Sequence, residues 1–143
     1  VQLNIRGICC AKPEKNMVII SIIDRYLEHA RVIHFHHGGK PRVYIASADW
    51  MPRNLDKRLE LMVPVEDADC RDRLIEMLAL HLADNQKCWT LKRDGTYARL
   101  VKTGAKKVRS QEALYTLACD ALADAKKTRR TRFEPHRPDT SDS

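Results

Sequence analysis

Long apolar runs are missing from this sequence of 143 residues. The longest apolar stretch, residues 17–23, is interrupted by Ser21 and is followed by Asp24 and Arg25. A membrane-spanning helix needs roughly 20 predominantly apolar residues, so the sequence predicts no transmembrane segment. The N-terminus lacks the basic end and apolar centre of a secretory signal. Residues 1–6 look like a strand already under way without an initiator Met, so we expect a piece of a longer chain.

Cysteines at metal-ligand spacing are also missing. The five cysteines occur at irregular spacing, and the adjacent Cys9 and Cys10 do not form a C-x-x-C motif. This pattern supports neither a zinc knuckle nor a thioredoxin-like site. Without a secretion signal, we expect reduced thiols in a cytoplasmic protein. His34, His36 and His37 flank a predicted turn without other ligands at suitable spacing, so we expect no metal site there.

Aromatic residues are scarce, at 6% of the chain, whereas positive charge is in excess, with a formal net charge of +7. Part of the excess forms one cluster, consisting of Lys102, Lys106, Lys107 and Arg109. A basic protein favours a polyanionic partner. The basic segments lack the interleaved aromatic residues on which single-stranded nucleic acids stack. We therefore expect a phosphate ligand rather than a nucleic acid.

Hydrophobic periodicity predicts an α/β domain with a mixed β-sheet flanked by helices. Strands are expected over residues 1–6, 31–37, 42–47, 58–65, 86–92 and 96–101. Helices are expected over residues 17–30, from residues 64–67 to about residue 82, and over residues 110–125. Residues 1–125 would form the domain. Residues 126–143, rich in Thr, Arg, Pro and Asp, would form a disordered basic tail.

The most informative feature is the polar segment S-A-D-W-M-P-R-N at residues 47–54, which follows an alternating strand. In α/β domains the C-terminal end of a strand is a common place for a ligand site. We therefore expect Ser47, Asp49, Arg53 and Asn54 to line such a site. The alternative is a polar loop that closes a hairpin, with Asp49 and Asn54 capping the turn at Pro52.

Three further residues can converge on this segment: Arg6 after the first strand, and His29 and Arg31 at the end of the first predicted helix. Arginine donates a pair of hydrogen bonds to phosphate oxygens. Histidine can exchange a proton near neutral pH or attack phosphorus. Ser47 and Asn54 can bind phosphate oxygens or orient the imidazole. The alternative is that His29 only compensates the helix dipole and that both arginines are solvated.

Three segments together are similar to a known family. They are R-G-I-C-C at residues 6–10, S-I-I-D-R-Y-L-E-H-A-R at residues 21–31, and V-Y-I-A-S-A-D-W-M-P-R-N-L-D at residues 43–56. In their residues and in their order along the chain, these segments resemble the C-terminal domain of polyphosphate kinase type 1. The resemblance extends from residue 1 to about Leu122. It implies a phospholipase D-like fold. The H-x-K element of that fold stands here as H-A-R at residues 29–31, followed by Ser47 and Asp49.

The resemblance implies reversible transfer of the terminal phosphate of ATP to inorganic polyphosphate, with Mg²⁺ and through a phosphohistidine in a preceding domain. Arg6 would contact ATP, and His29 would be the catalytic residue that contacts the nucleotide and assists proton transfer. The other candidates would form a phosphate-facing wall: Arg31, Ser47, Asp49, Arg53 and Asn54. The implied partners are ATP or ADP, polyphosphate, the upstream domains and further copies of the enzyme. The implied location is cytoplasmic, or peripheral at the inner membrane.

Two departures from the family pattern concern the nucleotide contacts. The loop between Cys10 and Asn16 is shorter than usual, and Met17-Val18 stand where the family often has an arginine. We expect the chain alone to be inactive, because the phosphorylated histidine belongs to another domain. The alternative function is a non-catalytic polyanion-binding module on the same scaffold. A phosphodiesterase would need two H-x-K elements, and the single H-x-R argues against it.

Overall fold

The computed structural model describes residues 2–4, 18–100 and 104–128. Within these residues, seven strands are interspersed with three α-helices along the chain. The strands are β1 (Gln2–Asn4), β2 (Val18–Ile22), β3 (Val32–Phe35), β4 (Arg42–Ala46), β5 (Met62–Pro64), β6 (Cys88–Leu91) and β7 (Tyr97–Arg99). The α-helices are α1 (Pro52–Lys57), α2 (Ala68–Ala83) and α3 (Ser110–Thr128), and a single 3₁₀ turn spans His37–Gly39.

The described strands form two sheets. The first has the order β1-β2-β6-β7, in which β1 and β2 are parallel and the other pairs are antiparallel. The second, β3-β4-β5, is antiparallel throughout. Helix α2 packs against α3 and reaches β4. The predicted mixed α/β architecture is confirmed, but its strands are divided between two sheets.

The prediction of a helix over residues 17–30 is wrong. Residues 18–22 form β2, which lies between β1 and β6, and no helix follows before β3. Three isoleucines of this strand are at most 5% exposed: Ile19, Ile20 and Ile22. A continuous apolar run satisfies a helical period and a strand buried on both faces equally well. The β-branched side chains, together with pairing to a neighbouring strand on each side, favour a β-strand over a helix here.

The other local predictions fare better. Both hairpins form, and Gly95 in the β6–β7 turn has the positive φ of +86° that favours glycine. Asp67 caps α2 by accepting a hydrogen bond from the Cys70 N–H at 2.8 Å. The strand expected over residues 58–65 shrinks to β5, and Leu59 and Leu61 are exposed. Helix α3 continues to Thr128, beyond its predicted end at residue 125.

Among the residues whose burial the structure describes, as many polar as apolar ones are buried. The apolar ones are Ile19, Ile20, Ile22, Val43, Cys88 and Leu91, and the polar ones are Asn54, His81, Asp84, Asn85, Ser110 and Gln111. Buried polar groups are tolerated when they are hydrogen-bonded, so hydrogen-bond networks are a large part of what orders this domain. The helices in the described ranges are all too short or too polar to cross a bilayer.

Candidate functional site

The end of β4 places two of the predicted site residues, Arg31 and Asp49, in direct contact. Arg31 Nε donates to Asp49 Oδ1 at 2.6 Å, and the two side chains are 26% and 34% exposed. Arg31 reaches this position because it immediately precedes β3, which pairs with β4, and its carbonyl accepts from the Ala46 N–H at 2.9 Å. The guanidinium is therefore held at the mouth of the strand-end loop.

Asp49 is the electrostatic centre of the candidate site. Its pKa is lowered, first by the hydrogen bond from Arg31 and further by the electrostatic influence of the nearby His29 and Arg53 side chains. The same pairing raises the pKa of Arg31, and the charge of Glu60 adds to this effect. The structure thus brings His29, Arg31, Asp49 and Arg53 into one electrostatic group.

Ser47 is held by the segment that leads into β5. Its hydroxyl donates to a carboxylate oxygen of Glu60 and accepts from the Leu61 N–H at 3.0 Å. Its backbone N–H donates to the Leu61 carbonyl at 3.0 Å. These bonds fasten the end of β4 to the approach to β5. The serine hydroxyl would have to exchange a partner before it could contact a phosphate.

Asn54 is 4% exposed and stabilises the loop from inside. Its Nδ2 donates to the Asp49 carbonyl at 3.3 Å, and its backbone N–H donates to the Met51 carbonyl at 2.9 Å. Its Oδ1 has no hydrogen-bond partner among the described residues. Because an amide oxygen accepts but does not donate, this atom suits a donor group rather than a phosphate oxygen. Arg53 is exposed on α1.

His29 lies on an exposed, non-helical segment between two anchored residues. On its N-terminal side, Glu28 accepts a hydrogen bond from Gln111 Nε2 at 2.9 Å. On its C-terminal side, Arg31 is tied to Asp49. The alternative in which His29 caps a helix is wrong, because residues 18–28, which lead directly to it, form β2 and a non-helical segment. Arg6, the other residue expected to contact ATP, lies outside the described residues.

Sequence patterns missed the residues that fix this segment from behind. Arg109 donates two hydrogen bonds to the Asp24 carboxylate, from Nε at 2.8 Å and from Nη2 at 2.7 Å. The Asp24 side chain is 3% exposed, and its pKa is lowered chiefly by the hydrogen bond from Arg109. The partners are 85 residues apart in the chain. No local pattern indicates a pair at such a separation.

Gln111 adds a second attachment at the beginning of α3. Its Oε1 accepts from the Tyr26 N–H at 2.7 Å, and its Nε2 donates to the Tyr26 carbonyl at 2.8 Å. The side-chain amide thereby satisfies both backbone groups of Tyr26, as a neighbouring strand would. We call Asp24, Tyr26, Glu28, Arg109 and Gln111 the rear clamp.

Asp84 anchors α3 itself. This fully buried carboxylate accepts from the Ser110 N–H and Oγ at 2.8 and 2.9 Å, and from the backbone N–H groups of Gln86 and Lys87 at 2.9 and 2.7 Å. Burial alone raises the pKa of Asp84, but these hydrogen bonds outweigh it and leave the pKa lowered. The beginning of α3, which carries the rear clamp, is therefore fixed to the end of α2.

The Mg²⁺ implied by the resemblance does not fit a ligand set within residues 18–100 and 104–128. No group of three or more His, Cys, Asp or Glu side chains there could hold a metal ion. The carboxylate of Asp49 is already engaged by Arg31. No step is therefore assigned to a protein-bound ion in this domain.

The fold and the strand-end cluster define a class: a mixed α/β domain that presents arginines and a histidine beside the end of a strand. A family model described as polyphosphate kinase C-terminal domain 2 matches residues 1–111. The chain belongs to this polyphosphate kinase C-terminal domain family, and the resemblance found in the sequence is confirmed.

Curated relatives agree with this assignment. A polyphosphate kinase of Rhodopirellula baltica is 45% identical over 97% of this chain and 17% of that protein. Polyphosphate kinase 1 of Chlorobaculum tepidum is 48% identical over 78% of this chain and 17% of its own length. The crystal structure of polyphosphate kinase from Porphyromonas gingivalis matches 86% of this chain and 20% of that one, with a TM-score of 0.80 and 37% identity. The chain thus spans about a sixth to a fifth of the length of these proteins.

Proposed function

We propose that this chain serves as the C-terminal catalytic domain of an ATP:polyphosphate phosphotransferase. The reaction would move the terminal phosphate of ATP reversibly onto inorganic polyphosphate, through a phosphohistidine supplied by a preceding domain. Family membership supports the reaction class. Mg²⁺ is expected to arrive with the nucleotide phosphates, since that ion is commonly held by substrate phosphates and water.

The observation that carries the proposal is the position of His29. Its imidazole is exposed to solvent, whereas Glu28 and Arg31 on either side are held by Gln111 and Asp49. A group that is fixed in place but free to meet a ligand can exchange a proton with an incoming phosphate. Arg53 adds positive charge, which a phosphoryl group needs during transfer, whereas the charge of Arg31 is compensated by Asp49.

The division of roles is the one that the family resemblance implies, and the contacts of Arg31, Ser47 and Asn54 refine it. His29 would contact the nucleotide and assist proton transfer, and Arg6 would contact the phosphates of ATP. Asp49 would keep Arg31 oriented, because the 2.6 Å hydrogen bond fixes the guanidinium plane. Ser47 and Asn54 would shape the loop, because their polar groups already bond to Glu60, Leu61 and the Asp49 carbonyl.

A transfer assay on the complete enzyme that contains this domain tests the proposal. We expect His29→Ala to abolish ATP synthesis from ADP and polyphosphate. His36→Ala, which removes another exposed imidazole, is the matched control and should retain activity. A wild-type transfer rate in His29→Ala would contradict a catalytic role of His29. The chain alone is expected to be inactive, and robust turnover by it would contradict the need for another domain.

The second candidate function is a non-catalytic polyanion-binding module, which the exposed lysines near the beginning of α3 favour. Calorimetry of ATP binding to the chain separates the two functions. Saturable binding that Arg6→Ala abolishes supports the kinase domain. Binding of any polyanion with a purely salt-dependent affinity supports the module. Upstream domains and further enzyme copies as partners, and a cytoplasmic or inner-membrane location, remain predictions.

A further inference from the structure

A basic groove lies beside the beginning of α3, and its described lining contains none of the residues proposed for the transfer site. It is an open cavity of about 640 Å³ between the β6–β7 hairpin, the segment 106–109 and the first turns of α3. Most of its charged lining is cationic. The cations are Lys87, Arg99, Lys106, Lys107 and Arg109, and Glu112 is the acidic residue of the described lining.

Four of these cations keep their charge available. Arg109 is compensated by Asp24 and Glu112. The other four form no ion pair with a carboxylate in the described parts of the chain, although Arg99 donates one hydrogen bond to the Gln86 carbonyl at 2.9 Å. Uncompensated cations that share a concave surface attract a polyanion more strongly than the same charges spread over a convex one.

The backbone that carries two of the lysines is held in place by buried groups. Asn85, 6% exposed, donates from Nδ2 to the Lys106 carbonyl at 2.8 Å. Its Oδ1 accepts from the Val108 N–H at 2.9 Å, and its own N–H donates to the Val108 carbonyl at 3.0 Å. Lys106 and Lys107 therefore project from an irregular segment whose backbone is held in place. Such preorganisation lowers the entropy cost of binding.

The chemistry of the groove selects among polyanions. Its described lining contains no aromatic side chain on which a nucleotide base or a single strand could stack. It offers charge along an open channel, which suits a flexible chain of repeated phosphate groups without bases. We propose that this groove binds inorganic polyphosphate through residues other than those of the strand-end site. The choice of ligand rests on the proposed function.

Calorimetric titration of the chain with medium-length polyphosphate, at several salt concentrations, tests the groove. The variant is Lys106→Ala with Lys107→Ala, and the matched control is Lys126→Ala with Lys127→Ala at the far end of α3. Both pairs are exposed and each variant removes two positive charges; Lys127 also pairs with Asp124, but only at the surface, so both variants should keep the wild-type melting temperature. We expect the groove variant to weaken binding about 10-fold and to reduce the salt dependence by about two counterions. The control should change the affinity less than twofold.

Two results would contradict the proposal that this groove binds polyphosphate. Equal weakening by both lysine pairs would show that only net charge matters. A single-stranded DNA of equal charge that competes as well as polyphosphate would assign the surface to nucleic acid instead. Failure of the proposed transfer function gives a different result: His29→Ala would leave the activity of the complete enzyme unchanged, whether or not the groove variant lost polyphosphate binding.

Discussion

The rear clamp and the strand-end site are built in opposite ways. In the rear, Asp24, Gln111 and the nearby Asp84 are almost fully buried, and hydrogen bonds satisfy them. At the front, His29 and Arg53 are exposed, and the pair of Arg31 and Asp49 is partly exposed. The buried contacts fix the backbone, so the exposed side chains can stay in place without being covered.

This difference separates stability from function. Removal of a buried polar partner leaves unpaired donors in a dry environment, which costs free energy of unfolding. Removal of an exposed charge costs little stability, since water replaces the lost partner. Substitutions in the rear should therefore act first on folding, and substitutions at the front should act first on ligand chemistry.

Asp84→Ala should have the largest effect on stability. Four hydrogen bonds end on this buried carboxylate, and their donors would be left without acceptors, so we expect a loss of about 3–5 kcal/mol. Urea denaturation measures the change. Asp94→Ala is the control, because Asp94 also accepts two hydrogen bonds, both from Thr96, but on the surface. Similar losses in the two variants would contradict the buried anchor.

Gln111→Ala should have an intermediate effect. It removes three hydrogen bonds to Tyr26 and Glu28, and we expect about 2–3 kcal/mol lower stability. The transfer rate of the complete enzyme should also fall, even when it is measured at a temperature well below the melting temperature of the variant. The reason is that the segment that carries His29 loses its attachment to Gln111. Gln111→Glu keeps the acceptor for the Tyr26 N–H but places a second carboxylate against Glu28 in a buried position, so it should lose at least as much stability as Gln111→Ala. An unchanged rate in Gln111→Ala would separate the clamp from catalysis.

Asp49→Asn should change the stability less than either substitution in the rear, since the pair with Arg31 is partly exposed. Its effect should appear in the transfer reaction of the complete enzyme, because an amide holds the guanidinium less firmly than a carboxylate does. Thermal melting and transfer rates measured on the same preparation separate the two effects. A large drop in melting temperature with a normal rate would assign Asp49 a structural role instead.

Acid should produce the smallest and most gradual effect. The pKa values of Asp24 and Asp84 are lowered in the folded state, against about 3.9 in an unfolded chain. Their stabilising contribution is therefore complete above that value, and it is lost as the pH falls through the folded-state pKa values. Denaturation at a series of pH values should show stability declining below about pH 4. In Asp84→Asn, the loss of stability on acidification should be smaller than in the wild-type protein. An identical loss would show that Asp84 does not contribute to the pH dependence.

Local chemistry predicted much of this fold. The hairpin of β3 and β4 follows from two alternating runs around Gly38 and Gly39, both of which have positive φ. The beginning of α2 follows from its Asp67 cap. The sequence misled at residues 17–30, where a continuous apolar run carries no period that distinguishes a helix from a buried strand.

The candidate site was only partly readable from the sequence. Asp49 could be nominated because it follows a predicted strand, and Arg31 because it ends a predicted helix that does not form; the two are in contact. The partners that hold the site, such as Glu60 for Ser47, carry no motif of their own. The contact between Asp24 and Arg109 joins residues that are 85 positions apart. It depends on the tertiary packing of the domain, so local spacing in the sequence does not indicate it.

Amide hydrogen exchange in Gln111→Ala tests most directly whether the rear clamp fixes the segment that carries His29. We predict faster exchange throughout residues 25–31, beyond the Tyr26 amide that loses its acceptor, and unchanged exchange in β4. Gln86→Ala, which removes another amide side chain near the end of α2, should leave residues 25–31 unchanged. Wild-type exchange at residues 27–31 in Gln111→Ala would contradict the account, because the site would then be held without the clamp.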